Sequence, residues 1–355
     1  MSNLLKSEWT VLVVALVASI LTGILTFAGM NPVLVFMVSA VALASLATVV
    51  GHSTEQLGNY LGPGPTGILQ ASVASLPELF VSFFALRAGL VTVVQSALVG
   101  SILANTLLIM GLAFLFGGLK NGTQKFGSEK PRAIVIMMLL AVSALVVPTL
   151  ADAIHTPAEA HEEALSIASA FVLLAVFAAS IPFSWKGGPI SEKVLAEDLE
   201  EKPWPMSRAI TTLVIAGVVT AFVSEWFVSA LEPTMLAWGI SDAFAGLVIV
   251  AIAGNAVENV VGIRLAIKNK TDFAISVLMN SSLQVALALT PILILLSYFF
   301  APIPLTLVLP PLLVAALFLA AILSAFIVFD GESNWLEGMA LVGLYLMIAI
   351  SFWWG

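Results

Sequence analysis

Apolar residues in this chain come in long blocks separated by charged residues or by Pro and Gly. Eleven such blocks are legible, at roughly 9–28, 31–50, 66–86, 91–117, 133–151, 165–185, 207–231, 242–263, 273–300, 304–329 and 336–354. A hydrocarbon core about 30 Å thick needs about 20 residues of helix to cross it. Blocks of that length predict helical spans; barrel strands would be near ~10 residues and alternating. The first block is longer than the ~7–15-residue apolar region of a cleavable signal peptide, and no small-residue cleavage site follows it cleanly. It is therefore read as a span of its own.

Composition narrows the class further. The chain has 355 residues, 60% of them hydrophobic and only 10% charged, with a mean hydropathy of +1.10. Soluble domains are about half apolar and about a quarter charged. These values exclude a cytosolic enzyme, a nucleic-acid binder and a disordered chain. Cysteine is absent, and His52, His155 and His161 are the only histidines. Disulfides, thiol chemistry, Cys-ligated metals and poly-His metal sites drop out with them.

Basic residues test the span count. With eleven spans, the N-terminus and the even-numbered loops share one side. That side carries Lys6, Lys120, Lys125, Lys130, Arg132, Lys186, Lys193, Lys202, Arg208, Arg264, Lys268 and Lys270, leaving only Arg87 opposite among 13 Lys and Arg. The positive-inside rule then predicts a cytoplasmic N-terminus and an external C-terminus. Asp152, Glu159, Glu162 and Glu163, in the loop after the fifth span, suit the outside. The longest polar stretch, KGGPISEKVLAEDLEEKPWPMSR (186–208), reads as a solvated acidic cytoplasmic linker between two halves.

Those halves resemble each other. At a constant offset of 180, residues 71–107 and 251–287 match at Ala71/Ala251, Glu78/Glu258, Val81/Val261, Leu98/Leu278, Ser101/Ser281, Leu103/Leu283 and Leu107/Leu287. Each block is a span with an interior Glu, a short loop, and a span with a Ser near its middle. The third and eighth spans are an odd number apart, so they cross in opposite senses. The expected architecture is an all-α integral membrane protein of 11 spans. It has an extra N-terminal span (1–30), a first five-helix repeat (31–185), the linker (186–206) and an inverted second repeat (207–355). Inverted repeats are a recurrent transporter plan, with the ion site at the repeat interface near the midplane.

A carboxylate at bilayer depth costs at least about 2.5–3.5 kcal/mol unless something compensates it. Glu78 and Glu258 are such residues, and Arg87 and Arg264 stand nine and six residues away at span ends. Paired acids without a cation at their depth suggest a cation site; a protonated Glu bonded between helices is the plainer alternative. Ser75, Glu78 and Ser82 share one helical face, and Asn255, Glu258 and Gly262 repeat the spacing. Ser101 and Asn105 stand one turn apart on the fourth span, and the ninth offers Asn280, Ser281 and Gln284. All supply oxygen, the ligand of hard cations such as Ca²⁺, although Ser and Asn also act as interhelical glue in membranes. Pro77 cannot donate to the carbonyl of Val73, and Gly254 loosens the eighth span at the related place. Glu55, expected just beyond the second span, and Glu225, late in the seventh, are second-tier candidates for ion entry or proton transfer, or ordinary interfacial acids.

The strings GNAVENVVGIRLAIKNKTDFAISVLMNSSLQVALALTPILILLS (254–297) and GSILANTLLIMGLAFLFGGLK (100–120) resemble the calcium/proton exchangers of the calcium/cation antiporter superfamily. That family's second repeat reads Gly-Asn-Ala-x-Glu, then a Lys-Asn-Lys loop, then Ser-Ser-Leu-Gln, matching Gly254–Glu258, Lys268–Lys270 and Ser281–Gln284. The resemblance implies 1+5+5 helices, Glu78 and Glu258 as ion-binding carboxylates, and Asn255, Ser101, Ser281 and Gln284 lining the site. One departure stands out. Ala74 and Ser75 replace the family's usual Gly-Asn, giving ASLPE, which resembles the Ser-x-Pro-Glu of sodium/calcium exchangers.

The expected function is therefore secondary antiport of Ca²⁺ against H⁺ by alternating access, with a sodium/calcium exchanger as the alternative. Glu78 and Glu258, both ionised, would neutralise one Ca²⁺. After its release the two repelling, poorly solvated charges would take up protons as a unit, and the neutral site could cross. A cation channel is a further rival. HExxH and GxSxG are both missing, which argues against an intramembrane hydrolase. The expected partners are Ca²⁺ and H⁺ as substrates and the lipid bilayer, with no nucleic acid and no cofactor. A prokaryotic plasma membrane is the expected location, and homo-oligomerisation is left open.

Overall fold

The structure, a computed structural model, describes residues 2–61, 73, 75–127, 129–187 and 204–354. The helices are α1 (Ser2–Phe27), α2 (Pro32–Leu61), α3 (Leu76–Arg87), α4 (Val91–Asn121), α5 (Glu129–Ala153) and α6 (Glu162–Gly187). They continue as α7 (Met206–Trp238), α8 (Asp242–Gly254), α9 (Ala256–Ile267), α10 (Thr271–Phe300), α11 (Pro311–Asp330) and α12 (Trp335–Ser351). Among the described residues, eight helices are long and apolar enough to cross a membrane, and nine if α8 and α9 are one bent span. The start of the expected third span, most of the linker and its acidic run 197–201 lie outside the described residues.

Two compact units emerge. The first comprises Met1–Ala88, Ser180–Ile240 and Ile252–Val257. In it α2 packs along α7, with α1 and α3 alongside. Phe36 stacks on Phe227 at 4.8 Å between ring centres. The linker's end is pinned to α2: the Trp204 N–H donates to Gln56 Oε1 at 2.9 Å, and Tyr60 donates to the Trp204 carbonyl. The Arg208 guanidinium lies 4.1 Å over the Trp204 ring.

The second unit comprises Gly89–Ala179, Ser241–Ala251 and Glu258–Gly355. Here the first half of α4 packs on α8 through two glycines. A Cβ on Gly100 would lie 2.4 Å from the Leu247 carbonyl oxygen, and one on Gly246 would lie 2.2 Å from that of Val93. Such small-residue contacts let helix backbones approach closely where lipid provides no hydrophobic drive for association. α12 packs on the end of α4, and α11 and α10 pack on α5. A two-residue sheet pairs β1 (Gln124–Lys125) with β2 (Glu332–Ser333). Outward positions stay apolar, as at Leu140 (65% exposed) and Phe326 (70%), a surface suited to lipid.

Three places bear on the expected spans, and the last of them is a correction. The eighth span, expected over 242–263 and loosened at Gly254, bends by 67° between α8 and α9. Helix α3 begins at Leu76, with Pro77 in its first turn, where a proline is favoured because an N–H at that position has no intrahelical partner; residues 62–72 and 74 before it lie outside the described ones. The tenth span was expected from residue 304, yet its helix begins at Pro311. Pro302, Pro304 and Pro310 disfavour helix in between, and residues 305–309 are non-helical, with a bend at Leu307. Side chains satisfy that backbone: Thr149 Oγ1 donates to the Leu307 carbonyl and accepts from the Leu309 N–H, at 2.8 and 2.9 Å. Ser166 accepts from the Leu307 N–H at 2.9 Å, and Gln95 donates to the Thr306 and Val308 carbonyls at 3.0 Å each. Non-helical backbone survives at membrane depth only when satisfied in this way.

Candidate functional site

Glu78 and Glu258 occupy the same kind of place, the first turn of a helix that follows a turn residue. Ser75 forms the turn before α3, and Leu79 N–H donates to its carbonyl at 2.9 Å. Asn255 forms the corresponding turn before α9. The sequence placed both acids mid-span; the structure puts them in a first helical turn, where backbone N–H groups lack intrahelical partners (Pro77 of α3 having none to offer) and the helix dipole is positive. An anionic side chain is stabilised there without a basic residue beside it.

The offset of 180 runs through these elements. α3 starts and ends at Leu76 and Arg87, and α9 at Ala256 and Ile267. The loops that follow turn through left-handed residues, Gly89 at φ 81° and Asn269 at φ 59°. α4 and α10 then begin at Val91 and Thr271. Each is interrupted by π-helical turns, Ala104–Ile109 in α4 and Val285–Leu289 in α10. Such insertions concentrate at functional sites because they shift the phase of the side chains around them. In α10 the cause is local. Pro291 cannot donate, and both the N–H and the hydroxyl of Thr290 reach back five residues to the Val285 carbonyl.

The structure brings Glu78 and Asn255 together. Glu78 is buried, at 8% exposure, and Asn255 at 1%. Asn255 Nδ2 donates to Glu78 Oε1 at 2.5 Å. Gly254 makes room for the acid, since a Cβ there would stand 2.6 Å from Glu78 Cγ and 3.2 Å from its Oε1. The glycine expected to loosen the span is the floor on which the carboxylate rests. The structure also joins Asn105, fully buried, to Ser281: Asn105 Nδ2 donates to Ser281 Oγ at 3.1 Å. Ser101 is buried one turn before Asn105 on α4, and Gln284 is half-buried immediately ahead of the π turn of α10. Ser75 and Glu258 are half-buried, and Ser82 is buried on α3.

Other candidates stand elsewhere. Asn280 is exposed. Gly262 packs on Leu278 of α10, 2.9 Å from where its Cβ would be. Because the turn at Asn255 precedes α9, Asn255, Glu258 and Gly262 do not form one continuous helical face. Glu55 lies within the last turns of α2, not beyond it, with its carboxylate 3.9 Å from His52 Nδ1. Glu225 is exposed on α7, well short of that helix's end. Asn259 went unremarked in the sequence. It is 8% exposed, next to Glu258, and its Oδ1 accepts no hydrogen bond among the described residues. It lies off the spacing that singled out its neighbours, so periodicity gave no signal for it.

Comparison with known proteins sets these features in context. The sequence profile described as "Sodium/calcium exchanger protein" matches residues 31–186 and 208–354, most of the chain. The chain belongs to the sodium/calcium exchanger protein family. Its relatives include a Ca(2+)/H(+) antiporter of Aphanothece halophytica, 33% identical over 346 residues, which cover 91% of this chain and 90% of that protein. They also include the Ca(2+)/H(+) antiporter ChaA of Bacillus subtilis, 35% identical over 323 residues, 89% of this chain and 91% of that one. Among solved structures, native YfkE superposes with a TM-score of 0.82 at 31% identity, covering 97% of this chain and 99% of its own. The H+/Ca2+ exchanger CAX shares the fold, with a TM-score of 0.76 at 17% identity over 98% of this chain and 92% of that one. The two family matches leave out 187–207, the segment read as a linker.

Proposed function

We propose that this protein is a secondary antiporter that exchanges Ca²⁺ for H⁺ across the membrane. The observation that carries the reading is the pair of acids in the first turns of α3 and α9, one of them held by Asn255. Its support from kinship is the Ca(2+)/H(+) antiporter relatives that match about nine-tenths of the chain. Glu78 and Glu258 supply two negative charges for one dication. Asn255, Ser75, Ser101, Asn105, Ser281 and Gln284 supply oxygens, in keeping with the hard-cation preference for such ligands. With Ca²⁺ gone, the two acids repel each other in a poorly solvated setting and are neutralised by protons. Only the Ca²⁺-loaded and the protonated forms cross readily, and that enforces exchange. Glu55 and Glu225 are secondary candidates for proton entry.

The matched boundaries at an offset of 180 support two inverted five-helix repeats and 11 spans. The distribution of Lys and Arg supports a cytoplasmic N-terminus. The test is ⁴⁵Ca²⁺ flux in proteoliposomes with an imposed pH gradient. Gradient-driven uptake without Na⁺ is the expected result, and dependence on Na⁺ overturns it. A sodium/calcium exchanger is the second reading, favoured by one observation: Ser75-Leu76-Pro77-Glu78 has the Ser-x-Pro-Glu form.

A further inference from the structure

The helix that carries Glu258 is gripped at its far end by the helix that carries Ser101 and Asn105. α9 has 12 residues, about 18 Å at 1.5 Å per residue. Its first turn leaves a sharp break, so the chain before it does little to set its direction. Its last carbonyls have no partners within the helix. The loop that follows takes up some of them, Asn269 N–H donating to the Ala266 carbonyl at 2.9 Å, and two side-chain amides from α4 and the turn after it add to this. Gln124 Nε2 donates to the Ala266 carbonyl at 2.8 Å. Asn121 Nδ2 donates to the Ala266 and Ile267 carbonyls at 3.3 and 3.2 Å. Asn121 is the last residue of α4, and Gln124 follows three residues later.

The slot for Gln124 is built. Its side chain is 1% exposed. It lies over Gly117 of α4, where any Cβ would meet Gln124 Oε1 at 2.3 Å. Its backbone is fixed by strand pairing with Ser333. The grip also closes a triangle. α9 touches α10 where Gly262 meets Leu278, and α10 is tied to α4 by Asn105 and Ser281. Each of the three helices carries proposed ion-binding oxygens, and each contact fixes one pair of them.

We propose that Gln124 and Asn121 are positioning residues for Glu258, holding α9 at the end remote from its carboxylate. This rests on the reading of Glu258 as an ion-binding acid. A tilt of α9 about its grip would move Glu258, eight residues from Ala266 and so about 12 Å along the helix, by that length times the angle, so loosening the grip displaces the carboxylate. Neither residue touches Ca²⁺. The expected signature is thus weaker capture of the ion with turnover retained once the ion is bound.

The test measures Ca²⁺ KM and maximal rate in proteoliposomes, together with thermal midpoint, for Gln124→Met, Asn121→Leu and Glu258→Gln. Gln124→Met keeps the length and removes the donor; it should raise the Ca²⁺ KM about fivefold, the share of one net hydrogen bond, with the maximal rate nearly kept. Asn121 is exposed, so Asn121→Leu should fold normally and raise KM in the same direction by about twofold, its bonds being longer. A lower thermal midpoint with KM unchanged in both variants overturns the inference, because the amides then merely hold a loop. Glu258→Gln separates the two levels. Normal transport by that variant overturns the site reading itself; no transport by it, with unchanged KM in the amide variants, overturns only the positioning role.

Discussion

Asn255 donates a hydrogen bond to Glu78 from 177 residues away in the chain. The partner is neutral. It orients the carboxylate without bringing a positive charge to it, whereas an Arg or Lys at 255 would. A carboxylate held without a basic partner in a membrane span costs stability when ionised, and a protein read as a cation carrier has a use for it. Replacing Glu78 or Glu258 with Gln keeps the volume and removes the charge that balances a dication. Either change is expected to abolish Ca²⁺ transport while detergent-solubilised protein stays folded. Near-normal ⁴⁵Ca²⁺ uptake by either variant would sink the two-carboxylate site.

Gly254 gives a sharper test of the same contact. A methyl group there would press on Glu78 Cγ from 2.6 Å. Overpacking of this kind costs about 1–3 kcal/mol and shifts what it touches. Gly254→Ala is expected to weaken Ca²⁺ affinity about tenfold or more and to lower the thermal midpoint. Wild-type affinity, measured by Ca²⁺ titration of the purified protein, would mean that the position of Glu78 does not govern binding.

Much of this arrangement was legible beforehand because it is written in period and charge. The spans follow from apolar block length, and the related acids from the offset that aligns Glu78 with Glu258. What escaped was local backbone geometry. Gly254 marked where the eighth span loosens, but nothing in apolar periodicity says that the turn falls on Asn255 or how sharply the chain bends there. The non-helical run 305–309 reads as apolar as any span. Only the prolines around it hinted at trouble, and the side chains that satisfy it, Gln95, Thr149 and Ser166, lie more than 130 residues away. The grip of Gln124 on α9 is also long-range and polar, and no periodicity records such a contact.

That non-helical run should be a weak point when its partners are removed. Thr149 Oγ1 makes two of its hydrogen bonds, one as donor and one as acceptor. Thr149→Val keeps the shape and leaves a buried carbonyl and a buried N–H without that partner, at about 1–3 kcal/mol each. The expected result is a thermal midpoint several degrees below wild type, with Ser166→Ala showing about half the loss. Equal stability of Thr149→Val would mean that water or the chain itself replaces the hydroxyl.

Sidedness can be checked directly, since the chain has no native cysteine. Thr123 lies in the exposed turn after α4, and Thr156 in the loop between α5 and α6. Single cysteines at these positions are expected to react with a membrane-impermeant maleimide from opposite sides, Thr123→Cys from the cytoplasm. Labelling of both from one side would remove the span assigned to α5.

The last prediction concerns the coupling ion. If protons and Ca²⁺ compete for the same acids, those acids must lose their protons before the metal binds. Raising pH should therefore tighten apparent Ca²⁺ binding, and the effect should flatten once both carboxylates are ionised. Two such acids act as a pair, so the curve belongs to the pair and not to Glu78 or Glu258 singly. Na⁺ should matter little, because only an ion that occupies the site competes strongly with its other occupants. Ser75 is the residue that argues otherwise, placing a hydroxyl in the turn before Glu78 in the Ser-x-Pro-Glu pattern. Ca²⁺ binding should be titrated against pH at fixed Na⁺, and then against Na⁺ at fixed pH. The proton reading expects steep dependence in the first series and near-flat behaviour in the second. The reverse result assigns the chain to sodium coupling. Ser75→Asn, which installs the residue of the calcium/proton pattern, should then reduce the Na⁺ sensitivity.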